Sequence, residues 1–119
     1  MSIVTESRHP GEHIVSEANG SRSREQGVLA SGNNLPAGAV LGIVGGEYVA
    51  LDQDAETGAE DASAILYAAV DATSADAACV VHVRDCEVDG AALTWPSDIE
   101  AGEKTAAIAA LSALGIIVR

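Results

Sequence analysis

Cysteine, histidine and carboxylate side chains are where chemistry in this chain would have to start. Cys79, His82 and Cys86 follow a C-x2-H-x3-C spacing, which offers three of the four ligands that a tetrahedral zinc site uses. The run around them, ACVVHVR, reads as a strand, and residues three apart on a strand point to opposite faces. Cys79 is therefore expected as a core thiol, His82 as a surface histidine and Cys86 as a loop thiol, with no metal between them. A nucleophilic cysteine is disfavoured too, because surrounding carboxylates raise a thiol's pKa. Asp52, Asp54 and Glu56 begin like a calcium-binding loop, but Thr57 stands where that loop needs glycine and Ser63 where it needs a bidentate glutamate. Gly38, Gly42, Gly45 and Gly46 lack the lysine and the following helix of a phosphate loop. No G-x-S-x-G elbow occurs. The sequence points to no catalytic residue, no metal and no cofactor.

Elements follow from the spacing of apolar residues and turn formers. Leu35-Pro36-Ala37-Gly38 reads as a turn, Ala39 to Val44 as a strand, Gly45-Gly46 as a hairpin turn and Glu47 to Leu51 as the returning strand. Asp52 to Asp61 is an acidic surface loop. Ala64 to Val70 is apolar on both alternating faces, which predicts a central or interfacial strand. Ala78 to Arg84 is another strand, and Asp89-Gly90 a second tight turn. Ser97 and Glu100 fit a capping box for an alanine-rich helix from Asp98 to Leu114, with Ile108, Leu111 and Leu114 as its apolar ridge and Gly115 as its stop. Ile116 to Val118 closes the chain as a short strand.

Residues 1–27 differ from this body. They are rich in Ser, Glu, Arg, His and Gly, and their apolar content is confined to two β-branched islands, Ile3-Val4-Thr5 and Ile14-Val15. The reading is an extended N-terminal arm over 1–27, ordered by a partner, and a β-rich domain over 28–119 with one C-terminal helix. Asn19-Gly20-Ser21 matches a glycosylation sequon but carries no weight without secretion.

Composition bounds the function. The 119 residues hold 23 Ala and no Phe, with 28 large aliphatics to supply the burial. Such a thin core predicts subunit association. A net charge of −12 repels phosphates, which argues against direct nucleic-acid binding and against anionic membranes. The opening residues lack the basic-then-apolar pattern of a secretory signal, and the Ala106–Val118 stretch is too short to span a bilayer. An intracellular, soluble product is the expectation.

Several pieces then resemble the phage lambda-type head decoration protein family: Ala30-Ser31-Gly32-Asn33-Asn34-Leu35-Pro36-Ala37-Gly38, Ala64-Ile65-Leu66-Tyr67, Val83-Arg84-Asp85, Glu87-Val88-Asp89-Gly90, Leu93-Thr94-Trp95-Pro96 and the helix running into Gly115-Ile116-Ile117-Val118. They span about residues 27–119 in order, and the arm is not matched at residue level. The resemblance implies a non-enzymatic β-clip-type protein. It implies a homotrimer on the outside of an expanded phage head, bridging major capsid protein subunits and resisting the pressure of packaged DNA. Ile3, Val4, Thr5, Ile14 and Val15 become the expected capsid-binding residues of the arm, by strand addition. Leu66, Tyr67, Trp95 and Pro96 become trimer or core candidates. The alternatives are a small oligomeric module that binds a sugar or peptide around His82, Arg84 and Trp95, and a hydrolase using unpaired carboxylates.

Overall fold

Two adjacent glycines set the tightest turn of the fold. Gly45 and Gly46 both take left-handed backbone angles, φ 59° and 84°, as a two-residue hairpin turn with the right twist requires. They join β4 (Val40–Val44) to β5 (Glu47–Ala50) in antiparallel register, Val44 opposite Glu47. The computed structural model describes residues 9–20, 22–52 and 54–119. In chain order the other strands are β1 (Ile14–Glu17), β2 (Arg24–Leu29), β3 (Asn33–Leu35), β6 (Ala64–Leu66), β7 (Val70–Ala72), β8 (Ala77–His82), β9 (Cys86–Val88) and β10 (Ile116–Val118), with helix α1 (Ala101–Ala113) before the last. The chain is mainly β with a single C-terminal helix, as the sequence predicts.

Strands β2, β5, β4, β6 and β8 close into a barrel. Strands β1, β9 and β10 form a three-stranded sheet in that order, and β3 pairs with β7. Strand β6 and the first half of β4 are covered on both faces, so consecutive residues there enter different cores. On β4, Leu41 enters the barrel interior with Leu29, Leu66 and Val81, while Val40 joins Ile65, Val88, Leu111 and Ile116 outside it. Helix α1 and the β9–β10 strands cover that outer cluster. The acidic loop lies close over β4, where a Cβ on Gly42 would stand 2.7 Å from the Ala59 backbone.

Five expectations are corrected. The strand expected over Ala64–Val70 breaks at Tyr67, whose carbonyl accepts a hydrogen bond from the Gly11 amide (3.0 Å), and the chain restarts as β7 beside β3. The helix begins at Ala101, and its box is made by Glu100 and Glu103: the Glu103 carboxylate accepts from the Glu100 amide at 3.0 Å. Its buried stripe is Ala107 and Leu111, whereas Leu114 is 45% exposed. His82 is fully buried, and Cys86 is a buried residue of β9.

The break expected at Val28 coincides with no break in pairing. Strand β2 pairs with β8 over six residues from Arg24, and β1 pairs with β9. Within the described part of this polar segment, residues 14–17 and 24–27 pair with the chain's own strands.

Candidate functional site

Pairing of Arg24 with His82 across β2 and β8 sets two polar side chains at one end of the barrel, and β1 crosses there. Glu17, the last residue of β1, receives them. Its Oε1 accepts from Arg24 Nη2 at 2.5 Å, and its Oε2 accepts from Ser23 Oγ at 2.6 Å and Arg24 Nε at 3.2 Å. His82 Nε2 lies 3.0 Å from the same oxygen. The Arg24 guanidinium stacks 4.2 Å over the Tyr67 ring, and the rings of Tyr67 and His13 each lie 5.6 Å from that of His82. The Arg24 bond holds the Glu17 carboxyl down to about 2 against desolvation, while burial pushes His82 below its ordinary 6.5.

Serine, histidine and carboxylate thus meet, but in the wrong order for nucleophilic catalysis. A triad needs serine bonded to one ring nitrogen and the acid to the other. Here Ser23 and the histidine converge on one carboxylate oxygen, and Ser23 and His82 are fully buried. The cluster fastens strands together. Nor are the sequence's candidate metal ligands assembled: Cys79 belongs to the barrel core and Cys86 to the outer cluster, and both thiols are free. Among the described residues no group of three metal-ligating side chains is close enough to hold an ion.

Of the arm residues, Ile3, Val4 and Thr5 lie outside the described residues. Ile14 is half-buried and Val15 is 55% exposed on β1, a terminal strand of its sheet with one edge on β9 and no partner strand on the other among the described residues. Leu66 is fully buried in the barrel, and Tyr67 belongs to the polar cluster. Trp95 packs on the outer core with Lys104 Nζ 5.1 Å over its ring, and Pro96 lines a cavity of about 220 Å³ beside it. The face expected around His82, Arg84 and Trp95 is not assembled. His82 is buried, and Arg84 is engaged with the Arg22 carbonyl at 2.8 Å and with the Glu25 carboxylate.

Sequence reasoning missed His13, Glu17, Ser23 and Arg24. One signal was available: Asn19-Gly20, between β1 and β2, is a turn former, and Gly20 takes φ 68°.

A family model, described as bacteriophage lambda head decoration protein D, matches residues 3–116 of the 119. The chain belongs to that family. No individual curated protein matches the chain at a significant level. The family is one of structural phage head proteins and not of enzymes, which accords with a Ser–His–Glu cluster arranged to hold strands. The decoration-family match starts at residue 3, so it takes in the polar N-terminal segment as well as the barrel. Resemblance read from the sequence alone began only at about residue 27.

Proposed function

We propose that this chain decorates the outer surface of an expanded phage head as trimers at local threefold positions, bridging major capsid protein subunits and stabilising the shell against packaged DNA. The observation that carries the reading is the family match over residues 3–116. Trimer formation is supported by aliphatic side chains left on the surface, with Val28 and Ile43 each 39% exposed. An open groove of about 540 Å³ lined by Val28, Val70 and Val80 adds to that apolar surface. An acidic exterior suits a surface turned away from the DNA.

Attachment runs through the N-terminal segment. Strand β1 is a terminal strand with an exposed Val15, and Ile3, Val4 and Thr5 lie nine or more residues ahead of Ile14 in the sequence. Strand addition to a capsid edge would use main-chain bonds there, with alternate side chains setting register. Removal of residues 1–8 leaves β1 in place and deletes the first apolar island. The test is co-sedimentation with expanded, undecorated heads, followed by imaging of decorated particles. Full-length protein is expected to bind at threefold positions and the truncated protein to bind weakly. Failure of the full-length protein to bind any head refutes the reading.

A further inference from the structure

Strand β1 contributes no side chain to either of the two apolar clusters formed by the described residues. Besides the Gly11 amide on the Tyr67 carbonyl and the Ala18 amide on the Asp85 carbonyl, three polar devices attach it. The first is its ladder to β9, which is interrupted by a register shift between Ile14 and Ser16. The second is buried His13, whose carbonyl accepts from the Asp89 amide at 2.7 Å. The third is Glu17, which joins β1 to Ser23, just ahead of β2, and to Arg24 and His82 of the barrel. Segments held by polar bonds and little apolar area occupy the low end of a protein's local stabilities.

We propose that Glu17 is an acid-sensitive latch: its carboxylate fastens β1 to the barrel, and acidification frees β1 while the barrel stays folded.

The titratable and charged groups around the latch come from every element packed on it. Arg24 reaches it from β2, His82 from β8, Tyr67 from the end of β6 and His13 from just before β1. From β9 and the residue ahead of it, Cys86 and Asp85 complete the surroundings. The Nδ1 atom of His82 is buried with no hydrogen-bond partner among the described residues, so a proton placed there meets no acceptor among them while the latch is shut. Opening returns both groups to ordinary environments. Glu17 goes from about 2 back towards 4.5, and His82 rises towards 6.5. The open form therefore binds more protons, and lowering pH favours it. Little changes above pH 6.5. At pH 3 the Glu17 contribution alone raises the opening constant about 30-fold over its value at pH 7, and His82 adds in the same direction. The latch concerns this chain alone and stands whether or not the chain decorates a head.

Hydrogen exchange with mass spectrometry on the full chain tests it, at pH 7 and pH 3 with rates corrected for intrinsic pH dependence. Peptides over residues 9–18 are expected to exchange about 30-fold faster or more at pH 3, while peptides over β4, β6 and β8 keep their protection. In Glu17→Gln, β1 is expected to exchange fast already at pH 7 and to respond less to acid. Unchanged β1 exchange at pH 3 overturns the latch, and so does simultaneous opening of β1 and barrel. Wild-type β1 exchange in Glu17→Gln overturns it as well. If that variant does not fold, Ser23→Ala removes one bond to the carboxylate and must still speed β1 exchange at pH 7; a wild-type rate there refutes the proposal.

Discussion

Leu111 and Leu114 lie one helical turn apart on the C-terminal helix and its cap, and the same truncation at each separates two ways of docking that helix. Leu111 is fully buried among Val40, Ile65, Val88 and Ile116, whereas Leu114 is 45% exposed. Leucine to alanine removes three carbon groups, about 2.4 kcal/mol of transfer at roughly 0.8 kcal/mol each. At Leu111 a cavity cost adds to that, giving about 3–5 kcal/mol. At Leu114 roughly half the transfer applies, and solvent fills the space, so the loss is about 1 kcal/mol. The difference, about 2–4 kcal/mol, separates the two urea midpoints by about 1–2 M at a slope of about 2 kcal/mol per M. Equilibrium urea unfolding reads it through the single tryptophan, Trp95, which packs on the same cluster as Leu111. Coincident midpoints, or a larger loss at Leu114, would refute docking through Ala107 and Leu111 and restore the ridge that the sequence predicts.

Gly42→Ala sets a methyl group 2.7 Å from the Ala59 backbone. The acidic loop must lift from β4, with a loss of about 1–3 kcal/mol and faster proteolysis at residues 52–61; unchanged melting and cleavage contradict it. Cys79 and Cys86 are both expected to resist an aromatic disulfide reagent in the folded protein at pH 8, since burial raises both thiols, Cys86 to about 11. Both should react after denaturation, and an intact mass two hydrogens short would show a disulfide instead. Truncation of residues 1–8 is expected to leave the melting temperature within a few degrees of the full chain's. Truncation of 1–26 removes β1, His13, Glu17, Ser23 and half of β2, and is expected to unfold the protein, as circular dichroism would show.

Legibility in the sequence tracks how each element is held. The β4–β5 hairpin and the final strand were readable because glycines with a required backbone angle and short β-branched runs leave few alternatives. The Ala64–Val70 run misleads because Tyr67 and Ala68 continue an apolar pattern through a bend where a distant amide, from Gly11, bonds the Tyr67 carbonyl. Alternation on β8 gave Cys79 and Val81 their shared buried face. It could not show that His82, on the opposite face, lies under β1. Burial of one face is a property of a strand, but burial of both depends on what crosses it.

The N-terminal segment was the hardest part because composition reports apolar area, and this segment is fixed by charge. A run of Ser, Glu, Arg and Gly has too little apolar surface to offset the entropy of ordering it, and so resembles a disordered arm. Here one carboxylate collects bonds from Ser23 and Arg24 and faces His82, so most of its lone-pair sites are used in a site 19% exposed. Charge-assisted bonds of this kind are roughly twice as strong as neutral ones, and removing either partner leaves a partly buried charge unpaired. The same choice makes the attachment conditional. Apolar burial is indifferent to protons, whereas a strand held by a carboxylate and a buried histidine is tightest at neutral pH and weakens as either group is protonated. A segment with this composition can be part of the fold under one condition and a free strand under another.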